Sequence, residues 1–166
     1  CIKTTNFKDR NYIGDILNNI RIFNEKKVDE IVILDIDSSK EKNPIKFDLI
    51  SKIASVCRMP LTYGGGISDL DSAKKIISLG VEKICLNTSA IHNFDLLKKI
   101  YNEFGSQSLS VSINYKKIKN NYNFVDNNQI PIKEKCNEYI KKIQENGVGE
   151  IIFNSIDRDG TMMGYD

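Results

Sequence analysis

The chain has 166 residues, 40% of them apolar, which suits one domain with a packed core and is too few for a complete eight-stranded α/β barrel. Its 24 basic and 22 acidic side chains leave a formal net charge of +2 and are scattered along the chain, which argues against a binder of nucleic acid or of an acidic membrane surface. No apolar run approaches the ~20 residues of a membrane span, no signal-peptide pattern opens the chain, and Cys1, Cys57, Cys85 and Cys136 lack metal-ligand spacing. A cytoplasmic protein with reduced thiols, no metal and no cofactor is expected.

In chain order, residues 15–28 form a helical pattern with Ile16, Leu17, Ile20 and Phe23 on one stripe. Strand-like apolar runs lie at 31–34, 60–63, 83–86, 109–113 and 151–153. Helical patterns at 47–57, 69–79, 94–104 and 133–144 separate them, so a parallel sheet with crossover helices is predicted over a single domain, residues 1–166. The polar, Asn-rich residues 116–130, with Tyr122 and Phe124 alternating, read as a hairpin-like excursion above the strand ends.

An internal repeat makes the fold class more specific. Val28-Asp29-Glu30-Ile31-Val32-Ile33-Leu34-Asp35-Ile36-Asp37 aligns with Val148-Gly149-Glu150-Ile151-Ile152-Phe153-Asn154-Ser155-Ile156-Asp157 at an offset of 120 residues. Two such units have the size of a (β/α)₈ barrel. The expected fold is therefore a TIM barrel built as a two-fold half-barrel repeat, incomplete here, with about strands two to six present. The barrel strands before Cys1 and after Asp166 would be missing, and the isolated piece is expected to be poorly soluble because sheet edges and apolar surface stay uncovered.

The strand ends carry the candidate chemistry. Asp35, Gly64-Gly65-Gly66, Asn87, Asn114 and Asn154-Ser155 each follow an apolar run and converge on one face. The three glycines stand between a strand and a helix starting near Asp69, which suits a phosphate cradle; a plain flexible turn is the alternative. Asn87-Thr88-Ser89 adds amide and hydroxyl donors, or simply an N-cap. Ser155-Ile156-Asp157-Arg158-Asp159-Gly160-Thr161 is the densest polar cluster. Glu30, Lys83 and Glu150 start strands two, four and six and could form a charged ring at the opposite end, or be ordinary solvated strand starts.

The segments Leu61-Thr62-Tyr63-Gly64-Gly65-Gly66-Ile67, Lys83-Ile84-Cys85-Leu86-Asn87-Thr88-Ser89-Ala90 and Ser155-Ile156-Asp157-Arg158-Asp159-Gly160-Thr161 through Gly164-Tyr165-Asp166 resemble blocks of the imidazole glycerol phosphate synthase cyclase family of histidine biosynthesis. Lys3-Thr4-Thr5-Asn6-Phe7 and Leu34-Asp35-Ile36 extend the likeness over essentially the whole chain. The resemblance implies a cytoplasmic lyase acting as a heterodimer with a glutaminase subunit. Ammonia from that partner would cross the barrel, with Glu30, Lys83 and Glu150 as its gate, and react with a phosphorylated ribulose-linked substrate. Gly66, Asn87 and Thr88, in the block begun by Gly64 and Gly65, would hold one phosphate, and Asp159 with Gly160 the other end of the substrate. Asn114, Lys3 and Asp35 are the candidates for the catalytic positions, with Lys3 at the end of the first strand.

The chain departs from that family at the chemistry. The family's paired carboxylates end strands one and five; the first would precede Cys1 and the second aligns with Asn114. An amide has no proton to exchange near neutral pH, so a cyclase fragment without either carboxylate is expected to be inactive. The stretch 21–30, followed by Leu34-Asp35-Ile36-Asp37, resembles instead the cyclase relatives that support amidation of a surface-polysaccharide sugar. A related phosphate-binding sugar isomerase and a catalytically silent barrel partner are the remaining alternatives.

Overall fold

A computed structural model describes residues 1–40 and 43–164, so Tyr165 and Asp166 of the last resemblance block lie outside the described residues. The chain opens with an antiparallel hairpin, β1 (Ile2–Thr5) and β2 (Lys8–Tyr12). Next come α1 (Ile16–Lys26), β3 (Ile31–Leu34), α2 (Ile36–Lys40), α3 (Phe47–Val56) and β4 (Leu61–Gly64). α4 (Leu70–Ser78), β5 (Lys83–Leu86), α5 (Thr88–His92) and α6 (Phe94–Phe104) lead into β6 (Leu109–Ile118), β7 (Asn121–Val125), α7 (Cys136–Glu145) and β8 (Glu150–Ser155).

β3, β4, β5, β6 and β8 lie side by side in that order, all parallel, as the curled half-barrel that alternating strands and crossover helices dictate. The pleat sorts their side chains. Ile31, Ile33, Leu61, Tyr63, Ile84, Leu86, Leu109, Val111 and Ile113 point outward into the helix layer, where they join Ile50, Ile76, Leu97 and Ile100 in the core. The alternate positions face the barrel interior, and there Thr62, Ser110, Ser112 and Asn114 are buried polar groups. Side-chain caps start α1, α4 and α6: Asp15 accepts from Leu17 and Asn18 N–H, Asp69 from Ser72 N–H, and Asn93 from Leu96 N–H.

The 120-residue repeat is visible as architecture. In each copy a hairpin leads to a helix and a strand, β1–β2 with α1 and β3, then β6–β7 with α7 and β8. The final Asp of each copy holds its own hairpin. Asp37 accepts from Arg10 at 2.7 Å, and Asp157 accepts from the backbone N–H of Lys117 at 2.8 Å.

Several boundaries differ from the sequence reading. Residues 2–12 form a hairpin, not the end of a barrel strand; its turn at Asn6 and Phe7 takes positive φ without glycine and is held by tertiary bonds. The helix expected from 133 begins at Cys136, because Pro131 is still bridged to Val125. β6 runs five residues beyond Ile113, and its upper half pairs antiparallel with β7. At the two edges of the sheet, Val32 and Leu34 on β3 and Phe153 on β8 are exposed, as an unclosed barrel requires.

Candidate functional site

The C-terminal ends of the five parallel strands open into a cavity of about 820 Å³. Asp35, Gly64, Gly65, Gly66, Asn87, Thr88, Asn114, Asn154 and Asp159 all line it. Convergence of strand ends from separate βα units is what a barrel supplies, since each loop contributes one or two groups to the same mouth.

The glycine turn allows the backbone to come close. A Cβ on Gly64 would sit 2.6 Å from the carbonyl oxygen of Cys85, and one on Gly65, at φ +123°, 2.3 Å from that of Asp35. A side chain at Gly64 would push β4 away from β5, and one at Gly65 would push the end of β4 away from the end of β3. The following helix contributes less than its position suggests, because the Asp69 carboxylate caps α4 at Ser72 N–H (2.7 Å). That bond holds its pKa below the usual carboxylate range and offsets the positive helix end.

Asn87 does not cap α5. Its Nδ2 donates to the Ser112 carbonyl at 2.8 Å, and its buried Oδ1 has no partner among the described residues. A buried acceptor without a donor is costly, so this atom is a place where a ligand's donor would be favoured. Asn114 accepts from Asn154 Nδ2 at 3.4 Å and donates to Asn127 Oδ1 at 3.2 Å; Asn127 Nδ2 donates to Thr88 Oγ1 at 2.7 Å.

The two carboxylates are bound within the protein. Asp35 accepts from Asp37 N–H, Ser38 N–H and the Ser38 hydroxyl, which starts α2. Asp159 Oδ2 accepts from the Thr4 hydroxyl at 2.6 Å and from Phe7 N–H at 2.9 Å, while its carbonyl accepts from Asn6 N–H. Gly160, with no room for a Cβ beside the Thr4 carbonyl, lets this loop clasp the hairpin.

At the other end of the strands, Lys83 Nζ lies 3.2 Å from Glu30 Oε1 and 2.5 Å from Glu150 Oε2. The Thr62 hydroxyl donates to Glu30 at 2.7 Å, and this bond first, then Lys83, holds the Glu30 carboxyl below its ordinary range against the opposing effect of burial. Burial works against the Lys83 ammonium, but the hydrogen bonds it donates to Glu150 and Glu30 outweigh it and raise its pKa. Glu30, Lys83 and Glu150 therefore form one ion-paired cluster. On the inward strand faces beside this cluster are Cys85, whose thiol pKa burial raises, and the hydroxyls of Ser110 and Ser112; Cys85 and Ser112 also line the cavity.

A protein family described as histidine biosynthesis protein matches the chain over residues 1–166. The chain belongs to that family. It is 46% identical over 167 residues to a provisionally named imidazole glycerol phosphate synthase subunit hisF2 of Pseudomonas aeruginosa, covering 99% of this chain and 66% of that protein. It is 41% identical over 168 residues to a provisionally named subunit hisF3 of Vibrio vulnificus, covering 99% and 65%. With imidazole glycerol phosphate synthase subunit HisF of Chlorobium phaeovibrioides the identity is 36% over 166 residues, covering 99% and 66%. The chain thus spans just under two thirds of the length of these relatives.

In this chain the structure brings together the glycine turn, Asn87, Thr88, Asn114, Asp35 and Asp159 at one end, and Glu30, Lys83 and Glu150 at the other. Lys3 stays apart: it is exposed on β1 and does not line the cavity. Gly160 acts on the cavity through the hairpin it supports. Arg10 and Asn127 also line the cavity and were not read from sequence. Both sit in polar hairpin segments, and only the Asn-rich character of 116–130 pointed to either. No helix among the described residues is long and apolar enough to cross a membrane.

Proposed function

We propose that the chain is the barrel part of an ammonia-dependent cyclase or lyase of the imidazole glycerol phosphate synthase type, supplied by a partner glutaminase. Its substrate is a phosphorylated, ribulose-linked compound bound over the ends of β4 and β5. The observation that carries this reading is the Glu30–Lys83–Glu150 cluster at one end of the same strands whose other end opens into the polar cavity. An ion-paired cluster at a strand start has no need to exist for phosphate binding alone, and it can gate a small neutral molecule. The groups beyond it (Thr62, Cys85, Ser110 and Ser112) are uncharged, so they offer ammonia hydrogen bonds without protonating it. Gly64, Gly65, Gly66, Asn87 and Thr88 would hold a phosphate, with Asp159 and Gly160 shaping the far side.

A second reading is favoured by Asn114. Ring closure needs a proton donor or acceptor, which an amide is not. On this reading the same ammonia route serves amidation of a surface-polysaccharide sugar. Complementation of a histidine auxotroph with the full-length gene decides between them: growth supports the cyclase, and no growth with retained glutaminase binding supports the amidation route. Loss of both glutaminase binding and phosphate affinity would overturn the ammonia-dependent reading altogether.

A further inference from the structure

Asn127 stands in the turn beyond β7, and that turn is built to hold it still. The Asp126 carboxylate accepts from Asn128 N–H at 2.9 Å and from Ile130 N–H at 2.8 Å, and Asp126 N–H donates back to the Ile130 carbonyl. From there the half-buried Asn127 side chain reaches across the cavity wall, accepting from Asn114 Nδ2 and donating to Thr88 Oγ1. Asn154 completes the chain, donating to the Ser112 hydroxyl at 2.8 Å as well as to Asn114. Three amides from β6, β8 and the excursion thus run in one direction and end on the hydroxyl of Thr88, the residue after Asn87.

We propose that Asn127 is a positioning residue of the cavity, which makes the Thr88 hydroxyl a donor to a bound phosphate and so makes the 116–130 excursion part of the binding site. The inference rests on the phosphate-binding reading above. A hydroxyl has one proton; because Thr88 accepts from Asn127, that proton remains for a ligand oxygen. Residue 114 permits that direction. As an amide it donates to the Asn127 carbonyl, which leaves the Asn127 NH₂ for Thr88. A carboxylate there could only accept, so Asn127 would turn its NH₂ to it and its carbonyl to Thr88, and the hydroxyl proton would be spent inside the protein. The identity of residue 114 therefore reaches the phosphate across two side chains that never leave their places.

The test uses the full-length protein and inorganic phosphate, titrated by calorimetry. Asn127→Ala and Thr88→Val should each weaken phosphate about 3- to 10-fold, and the double variant should be no weaker than the poorer single one, since both break the same contact. Asn114→Asp, which leaves the excursion intact, should weaken phosphate as well. A folded Asn127→Ala within about twofold of wild type, or a double variant showing the product of both losses, overturns the proposal. A ligand-free readout separates it from the reading beneath it. In ¹⁵N spectra, Thr88→Val should shift the Asn114 side-chain NH₂ signal, although the two residues do not bond. If wild type fails to bind phosphate, the phosphate reading falls; the relay is then upheld by a moved Asn114 signal and overturned by an unmoved one.

Discussion

Lys83 joins Glu150 across the foot of β5, β6 and β8, its Nζ 2.5 Å from Oε2, while holding Glu30, the residue before β3, on its other side. One cation thus ties both copies of the repeat, because Glu30 and Glu150 are equivalent positions 120 residues apart. If this cluster admits ammonia, Glu30→Ala and Lys83→Ala in the full-length protein should reduce glutamine-dependent turnover about tenfold while turnover with added ammonia falls much less. Parallel loss in the two assays would remove the gate and leave a purely structural ion pair.

The same cluster predicts a pH dependence of stability. Glu30 has a folded pKa below its ordinary 4.5, so its stabilising contribution is complete above that value and is lost as pH falls through the lowered one. Lys83 is raised above 10.5, so its contribution is complete below that value and is lost as pH rises through the raised one. Urea denaturation of wild type and Glu30→Gln should therefore differ at neutral pH and converge under acid. All three side chains are partly exposed, and the difference should be modest, about 1 kcal/mol or less, and reduced by salt. A difference that persists unchanged at about pH 2 would assign the effect to packing.

The parallel strands and most helices were legible because their signals are local. Ile31–Leu34, Lys83–Leu86 and the stripe of Ile16, Leu17 and Ile20 state their structure by apolar periodicity alone. The β1–β2 hairpin was not legible, since all five residues of β2 are exposed and the turn is shaped by Asp159, over 150 residues away. Five-residue α2 and α5 are too short to show a period. At the site, the strand-end rule located Asn87 and Asn114, whereas Asn127 depends on how far β6 and β7 extend, which no residue pattern within 116–130 specifies. Asp35 and Asp159 were legible as placed near the cavity but not as already bonded within it.

Gly65 provides a test of the cavity floor. At φ +123° a side chain is strained whatever the space, and here a Cβ would also meet the Asp35 carbonyl oxygen at 2.3 Å. Gly65→Ala should cost about 3 kcal/mol or more, and any folded fraction should lose phosphate affinity because the β3 and β4 ends are forced apart. Urea melts and phosphate titration on the same preparation check both. A stable variant that binds phosphate normally would show that the close approach is not needed.

Asp159 decides whether the hairpin is a fixed wall of the cavity. Its Oδ2 accepts two hydrogen bonds from β1 and the turn, and its backbone carbonyl accepts a third. A further side-chain tie joins the hairpin to α2, the exposed Arg10–Asp37 ion pair, which contributes little on its own. Asp159→Ala leaves Phe7 N–H and the Thr4 hydroxyl without their acceptor, at a cost of about 1–3 kcal/mol confined to the hairpin. The expected result is local opening without global unfolding: trypsin should cut after Lys8 or Arg10 several-fold faster while the main melting transition moves by only a few degrees. Asp159→Asn keeps an acceptor oxygen at the same place and should restore most of the protection. If Asp159→Ala is cut no faster than wild type, the hairpin is held by packing of Phe7 in the cavity mouth and not by the carboxylate.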